Sequence, residues 1–344
     1  MRATILLGCV VLVLPGCGGS QQPQSREPVR ERRPAMVAWD TAWVRGGEAD
    51  SVLLMPLDVV ADAERAYVLD GGGKRVVALR LADGEVAWMV GGQGGGPREF
   101  QAPTALALSH AGEVLVADHQ NARISVIDAQ GRITNHVPFR EFAYAQGLCA
   151  LADGDILVAT METEQPIARL ARNGEVKQRL DLPWPELRDV PPLARQAFLA
   201  STDDGRACVL ALAVGRGFAV YRDGEFRVAA DYVESIGPPQ VELVQGEGGR
   251  SERARMQRPV IAATDVAAGM GTVAVSFQGT SASAGRIIDH YDLRTGRYLE
   301  SYAFTHPIQS LARSGPTYLL LHHAAGYPTL VAAVPASGSL MAAR

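Results

Sequence analysis

The stretch GGQGGGPREF (Gly91–Phe100) follows an apolar run, VAWMV (Val86–Val90), that reads as a strand. A glycine-rich turn after a strand is where a phosphate-cradling loop would sit, so its reading decides whether this is a nucleotide enzyme. A Walker-type loop needs Lys and then Ser or Thr after its last glycine, and Pro97-Arg98 stands there. A dinucleotide fingerprint needs a helix to follow. Pro103 and the strand-like TALAL (Thr104–Leu108) deny it one. The stretch is therefore a connector between two β units, and its glycines let the chain turn sharply from an outer strand to the next inner one.

On either side of this connector, two turn types keep step along the chain. The first recurs as HAGEV (His110–Val114), ADGDI (Ala152–Ile156), DDGRA (Asp203–Ala207), GMGTV (Gly269–Val273) and RSGPT (Arg313–Thr317), and ADAER (Ala61–Arg65) fills the same slot without glycine. The second recurs as ADGEV (Ala82–Val86), AQGRI (Ala129–Ile133), RNGEV (Arg172–Val176), RDGEF (Arg222–Phe226) and RTGRY (Arg294–Tyr298). Four units separate the two turns by 19 or 20 residues; the fifth separates Gly271 from Gly296 by 25, which implies a small insertion. Glycine after Asp, Asn or Gln suits hairpin turns that need positive φ. Between the turns lie two apolar runs, such as VLVAD (Val114–Asp118) and RISVID (Arg123–Asp128). Each unit thus reads as four antiparallel strands in about 40–50 residues, the signature of a propeller blade.

Six first turns imply six blades. The last unit, Ile308–Pro335, offers three strands, while the strand-like Met36–Val44 has no partner of its own. The N-terminal segment is therefore expected to supply the missing outer strand and close the ring, because an open end would leave backbone groups unpaired.

The segment Gly96–Ile133 resembles an NHL-type propeller repeat. The resemblance rests on Gly96-Pro97, Phe100, Pro103, the Val114–Asp118 strand, Asn121, Arg123-Ile124 and Gly131. It is weaker over Arg65–Glu85 and in the third blade, and faint in the last three. It implies a six-bladed fold and no single activity, since such propellers host both binding and catalysis. In the repeat pattern Asp118, Asn121 and Arg123 tie the loop to the next strand.

The first residues carry a different message. Arg2 and the apolar Ile5–Leu14 have the length of a signal-peptide core, too short to span a bilayer. Leu14-Pro15-Gly16-Cys17 resembles a bacterial lipobox, with residues 1–16 removed and Cys17 lipidated. The polar, proline-bearing Gly18–Pro34 cannot bury enough surface to offset ordering, so residues 17–35 are expected to form a flexible tether before an all-β body at 36–336 and a tail at 337–344. Gly18, rather than an acidic residue, follows Cys17, which points to the outer membrane if the cell is Gram-negative.

Processing would leave Cys149 and Cys208 in the body. They could pair in an oxidising compartment, but lone cysteines in apolar strand patterns read as buried thiols. A formal net charge of −4 argues against nucleic acid as a partner. The body is expected to be monomeric.

The long segments Gly91–Ala102, Trp184–Ala197, Glu234–Pro259 and Gln278–Arg286 all fall on the propeller face opposite the tight turns, where binding usually lives. Pro192–Phe198 has the pattern of a short helix there. Strand ends at this face carry Asp70, Asp118, Gln278 and His322, and Arg98, Glu99 and His119 join them as candidate ligand contacts. Asp70 and Asp118 also fit turn-capping roles. His322 and His323 are adjacent on a strand, point to opposite faces and cannot share one ion. No metal site is assigned, although His119, His322 and an aspartate have the chemistry for a divalent ion. No nucleophile stands out. The basic Arg250, Arg253, Arg255 and Arg258 suit an anionic ligand or a solvated loop. The expected function is a membrane-tethered binding or scaffolding module for a peptide, glycan or protein. The alternative is a metal-assisted lyase or hydrolase, lactonase-like, using carboxylates such as Asp70 or Asp118 and His119 or His322 around the channel mouth.

Overall fold

A computed structural model of the chain describes residues 31–35, 37–139, 144–162, 164–188, 190–237, 241–245, 252–256, 260–324 and 326–336. Strand β1 is Trp39–Gly46. Blade 1 follows as β2 (Pro56–Ala61), β3 (Arg65–Asp70), β4 (Arg75–Arg80) and β5 (Val86–Gly91). Blade 2 is β6 (Pro103–Leu108), β7 (Val114–Asp118), β8 (Arg123–Ile127) and β9 (Ile133–Pro138). Blade 3 is β10 (Ala145–Ala150), β11 (Ile156–Thr160), β12 (Ile167–Leu170) and β13 (Val176–Leu180). Blade 4 is β14 (Ala197–Ser201), β15 (Ala207–Leu212), β16 (Gly217–Arg222) and β17 (Glu225–Asp231). A two-stranded ribbon, β18 (Val241–Gln245) and β19 (Glu252–Met256), interrupts the connector before blade 5. Blade 5 is β20 (Ala263–Gly269), β21 (Thr272–Phe277), β22 (Ile287–Asp292) and β23 (Tyr298–Ala303), and β24 (Ser310–Ser314), β25 (Thr317–Ala324) and β26 (Tyr327–Pro335) end the ring. Each blade is a four-stranded antiparallel meander, and β1 pairs antiparallel with β26 as the outer strand of blade 6.

The burial pattern explains these elements. Second and third strands are sandwiched between neighbouring blades, largely apolar and buried along most of their length: all five residues of β7 and four of five in β8 are buried. Outer strands such as β5 alternate instead, because one side meets water. Adjacent blades also lock through outer-strand tryptophans. Trp88 donates its indole N–H to the Ala129 carbonyl at 3.1 Å and lays its ring over Gly131, whose φ is +78°. A Cβ there would meet the ring at 2.8 Å, so the second-turn glycine is required both for its dihedral and for the ring above it. Trp43 makes the same contact with Leu81 and Gly84 between the last blade and the first.

The opening connector is a folded loop pinned by blade 2. Asn121 donates to the Gly94 carbonyl at 3.0 Å, and Arg123 donates to those of Gly96 and Glu99 at 2.7 Å. Phe100 is buried beneath it.

Three local expectations need correction. Cys149 on β10 and Cys208 on β15 are joined as a disulfide between blades 3 and 4, because facing strands of neighbouring blades bring their Cα atoms to 5.9 Å. The helix expected at Pro192–Phe198 is a single 3-10 turn, Pro192–Arg195, and Phe198 lies within β14, where the inner-strand pairing claims it. The tether yields its last residues to the body. Ala35 N donates to the Ser301 carbonyl and Ser301 N donates to the Arg33 carbonyl, so this segment runs alongside β23. Arg32 adds the anchoring charge: its guanidinium bonds Glu234 at 2.8 Å and the fully buried Asp289 at 3.1 Å, over the Phe277 ring. Residues 17–30 and the tail 337–344 lie outside the described residues.

Candidate functional site

The second-to-third strand loops and the blade connectors share one face, and the tight hairpin turns share the other. Asp70 and Asp118 end their second strands at the loop-rich face, but both carboxylates are fully buried. Asp118 Oδ1 accepts the backbone N–H groups of Gln101 and Ala102, and Oδ2 accepts Asn121 at 2.6 Å. Asp70 Oδ1 accepts Leu54 and Met55 N–H, and its Oδ2 accepts Arg75 Nε at 3.0 Å. Neither lines the cavity described below. These two aspartates fasten connectors to blades and are withdrawn as ligand contacts, since a carboxylate saturated by buried N–H groups has nothing left to offer.

The remaining candidates sit apart from one another. Arg98 and Glu99 are exposed on the first connector, where Glu99 Oε2 accepts the Gly96 N–H at 2.8 Å. His119 packs against Tyr144 at 5.1 Å between blades 2 and 3. Gln278 is half-buried beside Gly285 in the blade 5 loop. His322 is buried and stacks on the exposed His306 at 4.7 Å. Burial, then repulsion from His306 and His323, pushes the His322 imidazole down to about 4, so it is neutral at physiological pH. His323 is exposed, as strand alternation requires. The structure therefore does not bring His119 and His322 together. Among the described residues no three His, Cys, Asp or Glu side chains gather into a set fit to hold a metal ion.

What the inner strands enclose is more pronounced. All six border a central cavity of about 440 Å³, a size in the usual range for small-ligand pockets. Its wall includes Leu57, Gln146, Ile261 and Gln309 toward the loop-rich face and His110 and Arg313 toward the hairpin turns. Exposed large apolar side chains favour one end. Leu54, Met55, Leu57, Tyr144, Leu193, Ile261 and Tyr327 all stand on the loop-rich face; among the described residues the hairpin face has only Met270.

No protein-family profile matches the chain. A stretch of 72 residues is 39% identical to the human NHL repeat-containing protein 3 and 38% identical to the mouse protein of that name. This chain is a six-bladed propeller, NHL-like over that stretch. The matched stretch is 20% of the chain and spans about a fifth of the length of these curated relatives. Virginiamycin B lyase from Staphylococcus aureus superposes on the NHL-like propeller with a TM-score of 0.53 at 12% identity, over 86% of this chain and 99% of that one. The protein U3-55K superposes with a TM-score of 0.53 at 13% identity, over 86% and 100%. At such identities the likeness is one of fold alone.

Sequence reasoning passed over the polar residues inside the NHL-like propeller's channel. Asp58 and Asp265 line the cavity, each one step before a valine in an otherwise apolar inner strand, as LDV (Leu57–Val59) and TDV (Thr264–Val266). A charged residue recurring at one blade position was the available signal.

Proposed function

We propose that the propeller is a binding or scaffolding module whose loop-rich face takes a peptide, glycan or protein ligand. The gathering of exposed apolar side chains around that mouth of the cavity carries this reading, since apolar clusters on a soluble surface mark interaction sites. The module is held at a bacterial membrane, on its extracytoplasmic side, by lipid on Cys17; the outer membrane is its place in a Gram-negative cell. A metal-assisted lyase or hydrolase would need carboxylates and a histidine converging at the channel mouth, but Asp70 and Asp118 are engaged by the connectors, and His119 and His322 pack against Tyr144 and His306 in separate blades.

Panning a random peptide library against the full chain tests the face. Binders should weaken at least about tenfold, or about 1.4 kcal/mol, with Leu57→Asp or Ile261→Asp and stay unchanged with Met270→Asp. Binders that respond to Met270→Asp alone would move the working surface to the hairpin side. Cys17→Ser should release the protein from the membrane fraction of the expressing cells; retention would remove the lipid anchor from the reading.

A further inference from the structure

Asp58 and Asp265 occupy equivalent places, each just after a register shift near the start of an inner strand. Each carboxylate binds the next amide of its own strand at 2.8 Å, Val59 N–H for Asp58 and Val266 N–H for Asp265. Each also crosses to the inner strand of the following blade: Leu106 N–H donates to Asp58 Oδ2 and Leu311 N–H to Asp265 Oδ2, both at 2.8 Å. Ser310 joins the two. Its Oγ lies 2.6 Å from Asp265 Oδ2 and 3.5 Å from Asp58 Oδ1. One polar chain therefore runs through β20, β24, β2 and β6, across the seam where the last blade meets the first.

Two carboxylates face a single hydroxyl here, and a hydroxyl has one proton to give. Among the described residues no cation compensates. Strands β6, β10, β14 and β21 carry no charged residue, and β24 carries only Arg313, whose guanidinium is engaged by Thr272 and the Gly315 carbonyl. On β3, Arg65 pairs with Glu64, Tyr67 donates to Asp62, and Asp70 binds Arg75. On β7, Asp118 is held by backbone amides; on β25, Tyr318 contacts His290, His322 stacks on His306, and His323 is exposed. Asp265 is buried and Asp58 half-buried, and both line the central cavity.

We propose that Asp58, Ser310 and Asp265 share an extra proton at neutral pH and form a clasp across the ring seam, which loosens when that proton leaves in mildly alkaline solution. Burial pushes both carboxyls up, and the charge of Asp58 pushes Asp265 further. The sign follows from proton counting. With the folded pKa above the ordinary carboxylate value, the native state binds more protons than the unfolded chain. The clasp's contribution is complete below the carboxylate range and is lost as pH rises through the raised pKa. Buried neutral imidazoles act oppositely. His290, pushed by burial to about 3, and His322 lose their contribution as pH falls below the usual imidazole range, so they shape the acid limb instead.

Thermal unfolding of the full chain between about pH 6 and about pH 9 reads the alkaline limb. The wild-type Tm should fall by several degrees, and Asp265→Asn, which matches the protonated acid in shape, should flatten that fall by at least half. Asp58→Asn, which removes the neighbouring charge, should reduce it as well. Infrared spectra of the wild type at neutral pH should contain a protonated-carboxyl band that is absent from Asp265→Asn. That spectrum needs no variant to fail: a wild type without such a band overturns the proposal. Parallel pH profiles for wild type and both asparagine variants would overturn it too. None of these readouts depends on which ligand the loop-rich face takes.

Discussion

Replacing both Cys149 and Cys208 with alanine should lower the stability of the ring by about 4 kcal/mol. The bridge spans 59 residues of sequence, and closing a loop of that length restricts the unfolded chain by roughly this amount. It also links blade 3 to blade 4 through strands whose cysteines are fully buried, so the native contacts suffer little from the small truncation. The comparison is a denaturant titration of the wild type and the double variant. A second measurement guards the interpretation: the wild-type body, unfolded with a thiol reagent and no reductant, should release no free thiol. A midpoint change equivalent to less than about 1 kcal/mol, with two thiols released, would return these cysteines to the status of buried thiols.

Arg32→Ala should cost a comparable amount, about 3–5 kcal/mol, because it leaves a buried carboxylate without its partner. Asp289 is fully buried, and burial holds it above the usual carboxylate range although Arg32 pulls it down. Ser301 donates to it at 2.6 Å, but a hydroxyl cannot replace a guanidinium charge. The second partner, Glu234, begins the long connector and also accepts the Thr280 N–H and hydroxyl from the blade 5 loop. One arginine thus ties the N-terminal arm to two of the segments that build the candidate binding face. Hydrogen exchange should therefore rise at 233–237 and 278–286 in the variant, beyond the drop in Tm. Arg32→Lys keeps the charge without the fork and should recover only part of the loss. An unchanged Tm in Arg32→Ala would mean that the arm contributes nothing to the fold.

These two effects mark where reading along the chain stops. Blade number came from glycine turns keeping a regular interval, because positive φ at a hairpin is a local requirement that a single residue announces. The pairing of β1 with β26 followed from a missing strand at one end and a spare one at the other. The Asp118, Asn121 and Arg123 ties were legible from the repeat, since each acts within its own blade or on the connector just before it. The connector Gly91–Phe100 was readable by what could not follow it.

Other features depend on neighbours that the sequence does not place side by side. The cysteines pair because adjacent blades face each other, not because of their spacing. Arg32 reads as part of a polar tether until a buried aspartate from blade 5 meets it. Asp58 and Asp265 look like isolated polar interruptions until the ring brings the first and fifth inner strands to opposite sides of Ser310. Turn chemistry and strand alternation act over a few residues, so the sequence alone specified six sheets and their order. Burial, charge pairing and proton sharing are set by whichever groups surround a side chain once the circle has closed, and only the tertiary structure could decide them.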